Sequence, residues 1–245
     1  MRLTHKAPPD ETDGDTRLGL RFTLAGEAME ALAEGALWIV GSRMLVVSDM
    51  HLEKGSAYAR RGQLLPPYDT RTTLQRLDAL MQRVAPDAVI ALGDSFHDRE
   101  AEHRMHEEDA ALLHSLVARA DWIWIEGNHD PQPSPALGGR VAGELRLGAL
   151  TLRHEPRPGA TGEIAGHLHP CAKVSARGRA VRARCFAADA SRLVMPAFGA
   201  YAGGLNVKDD AFAPLFPKGC TALMLGRERV YAAPASRQVG DGDAR

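Results

Sequence analysis

The chain has 245 residues, 44% of them hydrophobic, with a formal charge of -1 and a pI near 6.8. That supplies one substantial core, and the near-neutral balance excludes both a generic polyanion binder and an acidic solvating chain, so any nucleic-acid contact has to be argued from local surfaces. No apolar run approaches the roughly 20 residues that cross a bilayer, and the polar start of the chain has no secretory apolar region. Cys171, Cys185 and Cys220 form no C-x-x-C pair, which argues against a disulfide framework or a zinc ribbon and fits a soluble protein of the reducing cytoplasm.

In chain order, residues 1–20 and 235–245 mix charge, Gly and Pro without periodicity and read as mobile tails around one domain over residues 21–234. Residues 21–25 and 36–40 read as edge strands, while 28–33 fits either a strand or a helical turn. A core strand follows over 44–47. Over 69–84, Leu74, Leu77, Leu80, Met81 and Val84 recur at helical spacing until Pro86. The most apolar strand, 88–92, comes next, then a helix over roughly 102–120 and a strand over 122–125. Beyond the prolines 131, 133 and 135 the chain turns strand-rich, with short β-like pieces at 144–147, 150–153, 172–175, 180–187, 192–194, 221–225 and 229–232. Helix-linked strands followed by bare ones predict an α/β fold of two face-to-face sheets with helices outside.

Metal-capable side chains cluster where the strands end. Asp49-Met50-His51 follows the first core strand, and extended backbone would point Asp49 and His51 the same way; alone, D-x-H reads equally as a solvated turn. Gly93-Asp94 ends the second, where Gly permits a tight turn and the Asp94 carboxylate could sit between two cations, although an isolated Gly-Asp is also a common N-cap or turn. Gly127-Asn128-His129-Asp130 sets an amide, an imidazole and a carboxylate on one loop, and an ordinary polar turn gives no reason for His129. Gly166-His167-Leu168-His169 spaces two imidazoles so that they face one ion or straddle two; a surface pair is the alternative. His154 stands alone between the last two. Oxygen and nitrogen donors gathered this way suit two divalent cations that activate water against a phosphate ester.

The ordered set D-x-H, G-D, G-N-H-[DE], H, G-H-x-H resembles the calcineurin-like metallophosphoesterase superfamily, whose fold is a four-layer αββα sandwich. By that resemblance Asp49, His51, Asp94 and His169 hold one metal, Asp94, Asn128, His154 and His167 hold the other, and His129 faces the substrate as general acid or charge stabiliser, oriented by Asp130. The chain departs from the pattern at His97, where many members have Asp or Asn, and at Glu155, where many have Gly. Ser48 to Gly55, Arg60-Arg61-Gly62, Leu65-Pro66 and Leu92 to His97 are similar to the ligase-associated DNA damage response endonuclease branch. This implies a DNA phosphodiesterase working with a helicase, a nuclease and an ATP-dependent ligase in bacterial repair.

Charge counting over two cations, two carboxylates and a hydroxide leaves a site near +1, matched to a phosphodiester monoanion. Manganese leads as the metal because the donors include no thiolate, and iron or zinc also fits. Lys54, Arg60, Arg61 and His97 lie where they could contact substrate, though each also reads as a solvated surface group. Arg177, Arg179, Arg182 and Arg184 alternate as the outward, solvated face of a strand, and Trp122 and Trp124 read as core. The alternative activities are a phosphomonoesterase or small-nucleotide diesterase on the same site, and a non-catalytic scaffold, which would have lost ligands.

Overall fold

Short apolar runs in the first half of the chain build a seven-stranded sheet in the computed structural model, which describes residues 19–63, 65–129, 135–176 and 179–242. Its strands are β1 (Leu20–Leu24), β2 (Glu27–Ala31), β3 (Leu37–Ile39), β4 (Met44–Val47), β5 (Ala88–Leu92), β6 (Asp121–Ile125) and β7 (Arg140–Ala142), lying in that spatial order. Short turns make β1 to β4 antiparallel, whereas β4 to β7 run parallel. Parallel pairing needs a crossover. Helices α1 (Lys54–Arg60) and α2 (Asp69–Val84) supply it before β5, and α3 (Ala101–Arg104) and α4 (Glu107–Val117) before β6.

The two-residue period of a strand sends neighbours to opposite faces. Leu45, Val47, Val89, Ala91, Trp122 and Trp124 face α2 and α4 through Leu74, Leu77, Leu80, Leu113 and Leu116. Val46, Ile90, Leu92, Ile123 and Ile125 face the other way and meet Leu152, Ile164, Phe186 and Leu193 of a second sheet. That sheet comprises β8 (Glu144–Leu147), β9 (Leu150–Arg153), β10 (Glu163–Ala165), β11 (Pro170–Ala176), β12 (Arg179–Ala188), β13 (Arg192–Val194), β14 (Leu205–Asn206), β15 (Thr221–Leu225), β16 (Val230–Ala233) and β17 (Gln238–Val239), with β9, β10 and β13 parallel. The α/β sandwich of two sheets flanked by helices is the architecture expected from sequence. Its flanks are unequal. The helices cover the first sheet, while the second is covered by residues 207–220, which bring Phe212, Leu215 and Phe216 onto Ala172, Ala187 and Ala222. Among the described residues no helix is long and apolar enough to cross a membrane.

Local departures have local causes. Within the ambiguous stretch 28–33, residues 28–31 are strand, because β2 is paired on both sides and buries Met29 and Ala31, and the chain leaves the strand at Leu32. The single helix expected over 102–120 is two: Met105 is extended and packs on the core, and the His106 side chain caps α4 by accepting from the Glu108 amide. Residues 235–242, read as a mobile tail, include β17, which pairs with β11 while the buried Gln238 amide donates to the carbonyls of Cys220 and Ala233. Composition does not register one amide satisfying two buried carbonyls. Residues 1–18 and 243–245 lie outside the described residues.

Candidate metal centre

Each predicted loop leaves the C-terminal end of a strand that has a parallel neighbour. Asp49 and His51 follow β4, Asp94 follows β5, Asn128 and His129 follow β6, His154 follows β9, and His167 and His169 follow β10. Parallel pairing puts those ends at one edge, where open α/β sheets bind ligands. The extended backbone expected at Asp49 and His51 is not what orients them. Strand β4 ends at Val47, and Asp49, His51, Asp94, His167 and His169 all adopt left-handed conformations, with φ of 52°, 45°, 45°, 69° and 46°. Non-glycine residues there cost of order 1–3 kcal/mol each and persist only where their surroundings fix them.

The surroundings do fix them. The Asp49 amide donates to the Gly93 carbonyl (3.2 Å) and the His51 amide to the Asp94 carbonyl (2.9 Å), so the two loops run on side by side past their strands. The Asp49 carboxylate accepts from the His167 amide (3.1 Å) and from Ser48 Oγ (2.5 Å). From the far side, the amides of Phe198 and Gly199 donate to the carbonyls of Ser48 (2.7 Å) and Asp49 (3.1 Å). Two glycines make the convergence possible. A Cβ on Gly93, at φ 75°, would stand 2.3 Å from His154 Nδ1, and one on Gly166 would stand 2.0 Å from Ser48 Oγ.

The result is two adjoining donor groups. Asp49, His51 and His169 each bring one atom to within 4.8 Å of the others, and so do Asp94, His154 and His167. In the first, His169 Nε2 is 3.1 Å from Asp49 Oδ1 and 3.2 Å from His51 Nε2. In the second, His154 Nε2 is 3.4 Å from Asp94 Oδ2, 3.2 Å from His167 Nδ1 and 2.8 Å from Asn128 Oδ1. His154 Nδ1, 3.9 Å from Asp49 Oδ1, links the groups. His154 is thus 4% exposed at their junction, despite the departure at Glu155.

The donor chemistry fits a cation. His154 Nδ1–H donates to the Leu92 carbonyl (3.3 Å), which turns Nε2 toward the Asn128 oxygen. Lone pairs that converge in this way need a shared positive charge. Burial lowers the His154 pKa, but the hydrogen bond and charge of Asp94, with the charge of Asp49, overcome it and raise the value to about 9. Burial opposes ionisation of both carboxylates as well. The hydrogen bonds and charge of their histidine partners nevertheless hold them below the usual range, His154 acting on Asp94, and His169 with His154 on Asp49. Burial dominates at His51, whose pKa falls to about 4, so its imidazole is neutral and available to a metal. A divalent ion in each group would do what the proton on His154 does, more completely.

His129 stands at the edge of this pair. Its amide donates to Asp94 Oδ1 (2.9 Å), its Nδ1 donates to the His97 carbonyl (3.1 Å), and its Nε2 lies 3.9 Å from Asp94 Oδ2. The His97 ring stacks on that of His129 at 5.8 Å, with Tyr58 at 5.8 Å on the far side and Lys54 near the Tyr58 ring. Burial lowers the His97 pKa, and the charges of Lys54, His129 and Arg61 lower it further against the opposing charge of Asp98. Lys54, Arg61 and His97 are therefore grouped beside the centre. Arg60 instead pairs with Glu100 (2.8 Å), and Asp130 lies outside the described residues.

Sequence reading missed the supports. Ser48 was visible only as the residue before Asp49. The solvated strand face assigned to the β12 arginines is wrong at Arg184, which is turned inward and donates to the carbonyls of Ala197 (2.8 Å) and Gly199 (3.4 Å). Arg182 pairs with Asp241 and donates to the Gly204 carbonyl, and Arg177 lies outside the described residues. Arg76 of α2 lies over the Phe198 ring at 4.2 Å and donates to the Phe198 carbonyl. No local pattern announces that residues 197–199 return to meet these side chains.

The family model for calcineurin-like phosphoesterases matches residues 42–163, a stretch that carries every donor from Asp49 to His154. The chain belongs to the calcineurin-like phosphoesterase family. It is a hydrolase acting on ester bonds, with donor groups for a dinuclear divalent metal site. Among solved structures, the phosphoesterase is similar to the nuclease MPE of Pseudomonas putida, at 28% identity and a TM-score of 0.67 over 87% of this chain and 99% of that one. Yfce, a phosphoesterase from E. coli, overlaps at 12% identity and a TM-score of 0.39 over 78% of this chain and 98% of that one. No curated protein matches the phosphoesterase by sequence.

Proposed function

We propose that this phosphoesterase is a metal-dependent phosphodiesterase whose substrate is DNA, acting in bacterial repair as a member of the ligase-associated endonuclease branch. The observation that carries the reading is the pairing of two buried donor groups with an imidazole, His129, whose orientation is fixed from both sides. Asp49, His51, Asp94 and His169 would hold one metal and Asp94, Asn128, His154 and His167 the other, with manganese preferred over iron or zinc for an oxygen and nitrogen set. When bound, the cations supply Lewis acidity toward the phosphoryl group and a water of lowered pKa.

The chain's own residues supply the rest. His129 Nδ1–H is committed to the His97 carbonyl, so Nε2, 3.9 Å from Asp94 Oδ2, is the ring nitrogen from which a proton would pass to a leaving oxygen. Delivery of that proton is worth about a hundredfold or more. Asp130 is the proposed orienting carboxylate for this imidazole. The His97 ring buttresses His129, while Lys54 and Arg61, and Arg60 once released from Glu100, would offer positive charge to the phosphates on either side of the cleaved one. The likeness to a nuclease over almost its whole length supports DNA as the substrate class. Working alongside an ATP-dependent ligase, a helicase and a nuclease, in the cytoplasm, belongs to the same reading.

The deciding experiment presents the metal-loaded protein with chromogenic phosphate diesters and monoesters, then with single-stranded and duplex DNA. Diester and DNA hydrolysis are expected; activity on monoesters alone overturns the DNA reading. His129→Ala should lose about a hundredfold in diester kcat with both metals retained, and full turnover in that variant would remove His129 from the chemistry.

A further inference from the structure

A cavity of about 510 Å³ opens beside the centre, lined by Ala57, Arg60 and Arg61 from the end of α1 and by Asp98, Arg99, Glu100 and Arg104. Its position follows from chain connectivity, since Asp98 is bonded to His97, whose ring stacks on His129. Four guanidinium groups meet two carboxylates there. Arg104 grips Asp98 with two bonds of 2.8 Å, and Arg60 takes Glu100 at 2.8 Å. Arg61 and Arg99 remain, both exposed, and neither makes an ion pair among the described residues. The arginines at the end of α1 also complement the negative pole of that short helix, but this gives no reason for Arg99, which belongs to a different element. The Asp98–Arg104 pair fixes the turn that carries Arg99, so the uncompensated charge is presented on a braced rim.

Resting on the nuclease reading, we propose that this groove is a second phosphate subsite, holding a DNA backbone phosphate beyond the one at the metal centre through Arg61 and Arg99. Guanidinium forks match phosphate oxygens in pairs. A chain of at least a few nucleotides is needed to occupy both places, so a dinucleotide, whose single phosphodiester sits at the metals, stops short of the groove. The subsite therefore makes cleavage depend on substrate length.

The test compares metal-loaded wild type with Arg99→Glu and Arg99→Lys, measuring kcat/KM on a dinucleotide and on a single-stranded oligonucleotide of about twelve nucleotides, together with the salt dependence for the longer one. Wild type should favour the longer substrate. Arg99→Glu should cut that preference by about tenfold and flatten the salt slope by about 1, and Arg99→Lys, which keeps the charge, should retain most of both. Arg99 is exposed, so a folded variant is expected, and its unfolding temperature checks this. If wild type shows a length preference that Arg99→Glu leaves unchanged, the groove is overturned while the nuclease reading stands, and the arginines belong to a surface for an acidic protein. Equal wild-type efficiency on the two lengths also overturns it. Failure of wild type to cleave either substrate overturns the nuclease reading and the groove with it.

Discussion

Asp49, His51 and His169 all occupy left-handed backbone, whereas in the neighbouring group Asp94 and His167 do and His154 and Asn128 do not. The first group is held from outside by main-chain bonds from residues 198 and 199, which are in turn gripped by Arg76 and Arg184. The second is held from within, by a side-chain lattice in which His154 touches Asp94, Asn128, His167 and the Leu92 carbonyl. One half of the centre thus depends on backbone conformation and its distant supports, and the other on space for one buried ring. The two halves should fail separately.

Gly93→Ala should have the largest effect. It sets a methyl group 2.3 Å from His154 Nδ1 at a φ of 75°, so we expect at least about 1–3 kcal/mol of lost stability and selective loss of the His154 group, seen as halved metal content with the first group still filled. Equal loss from both groups would break the distinction. Arg184→Ala acts on the other half by removing the donor to the carbonyls of Ala197 and Gly199, at about 1–3 kcal/mol. By calorimetric titration it should weaken the tighter or looser of the two metal steps, whichever belongs to Asp49, by about 10–100-fold, the range for residues that orient ligands. A matching loss at the His154 group would show that the supports are shared. Arg140→Ala gives the baseline. Its ion pair with Asp121 is 2.8 Å long but both side chains are largely exposed, so stability should change by less than about 1 kcal/mol and neither metal step should move.

Which parts were legible in the sequence follows the same division. Donor identity was readable because Asp49, His51, Asp94, Asn128, His167 and His169 sit in ordered motifs at the ends of apolar runs, and the sandwich was readable because helix-linked apolar runs give way to bare short strands and α2 repeats at helical spacing. Local pattern does not encode contacts made by residues far away in sequence. The left-handed turns at Asp49 and His51 follow from pairing with the loop after β5, and the inward turn of Arg184 follows from the return of residues 197–199. Helix α1 was missed because seven residues, two of them buried, make too short a stripe to read. The docked end at β17 depends on the single amide of Gln238.

His51 and His169 bring their Nε2 atoms to 3.2 Å from positions 118 residues apart, one attached to each sheet. During synthesis, a chain that has not yet reached residue 167 carries only part of either donor group, and one that stops short of residue 169 still lacks a member of the first, however well its first sheet has formed. Ions bound by both sheets stabilise the docked arrangement over every precursor that lacks it. With donors drawn from both sheets, hydrolytic competence would follow assembly, and a stalled or misdocked chain would lack a complete site. For an enzyme proposed to cleave DNA, coupling activity to completed folding is a safeguard built into the order of its residues.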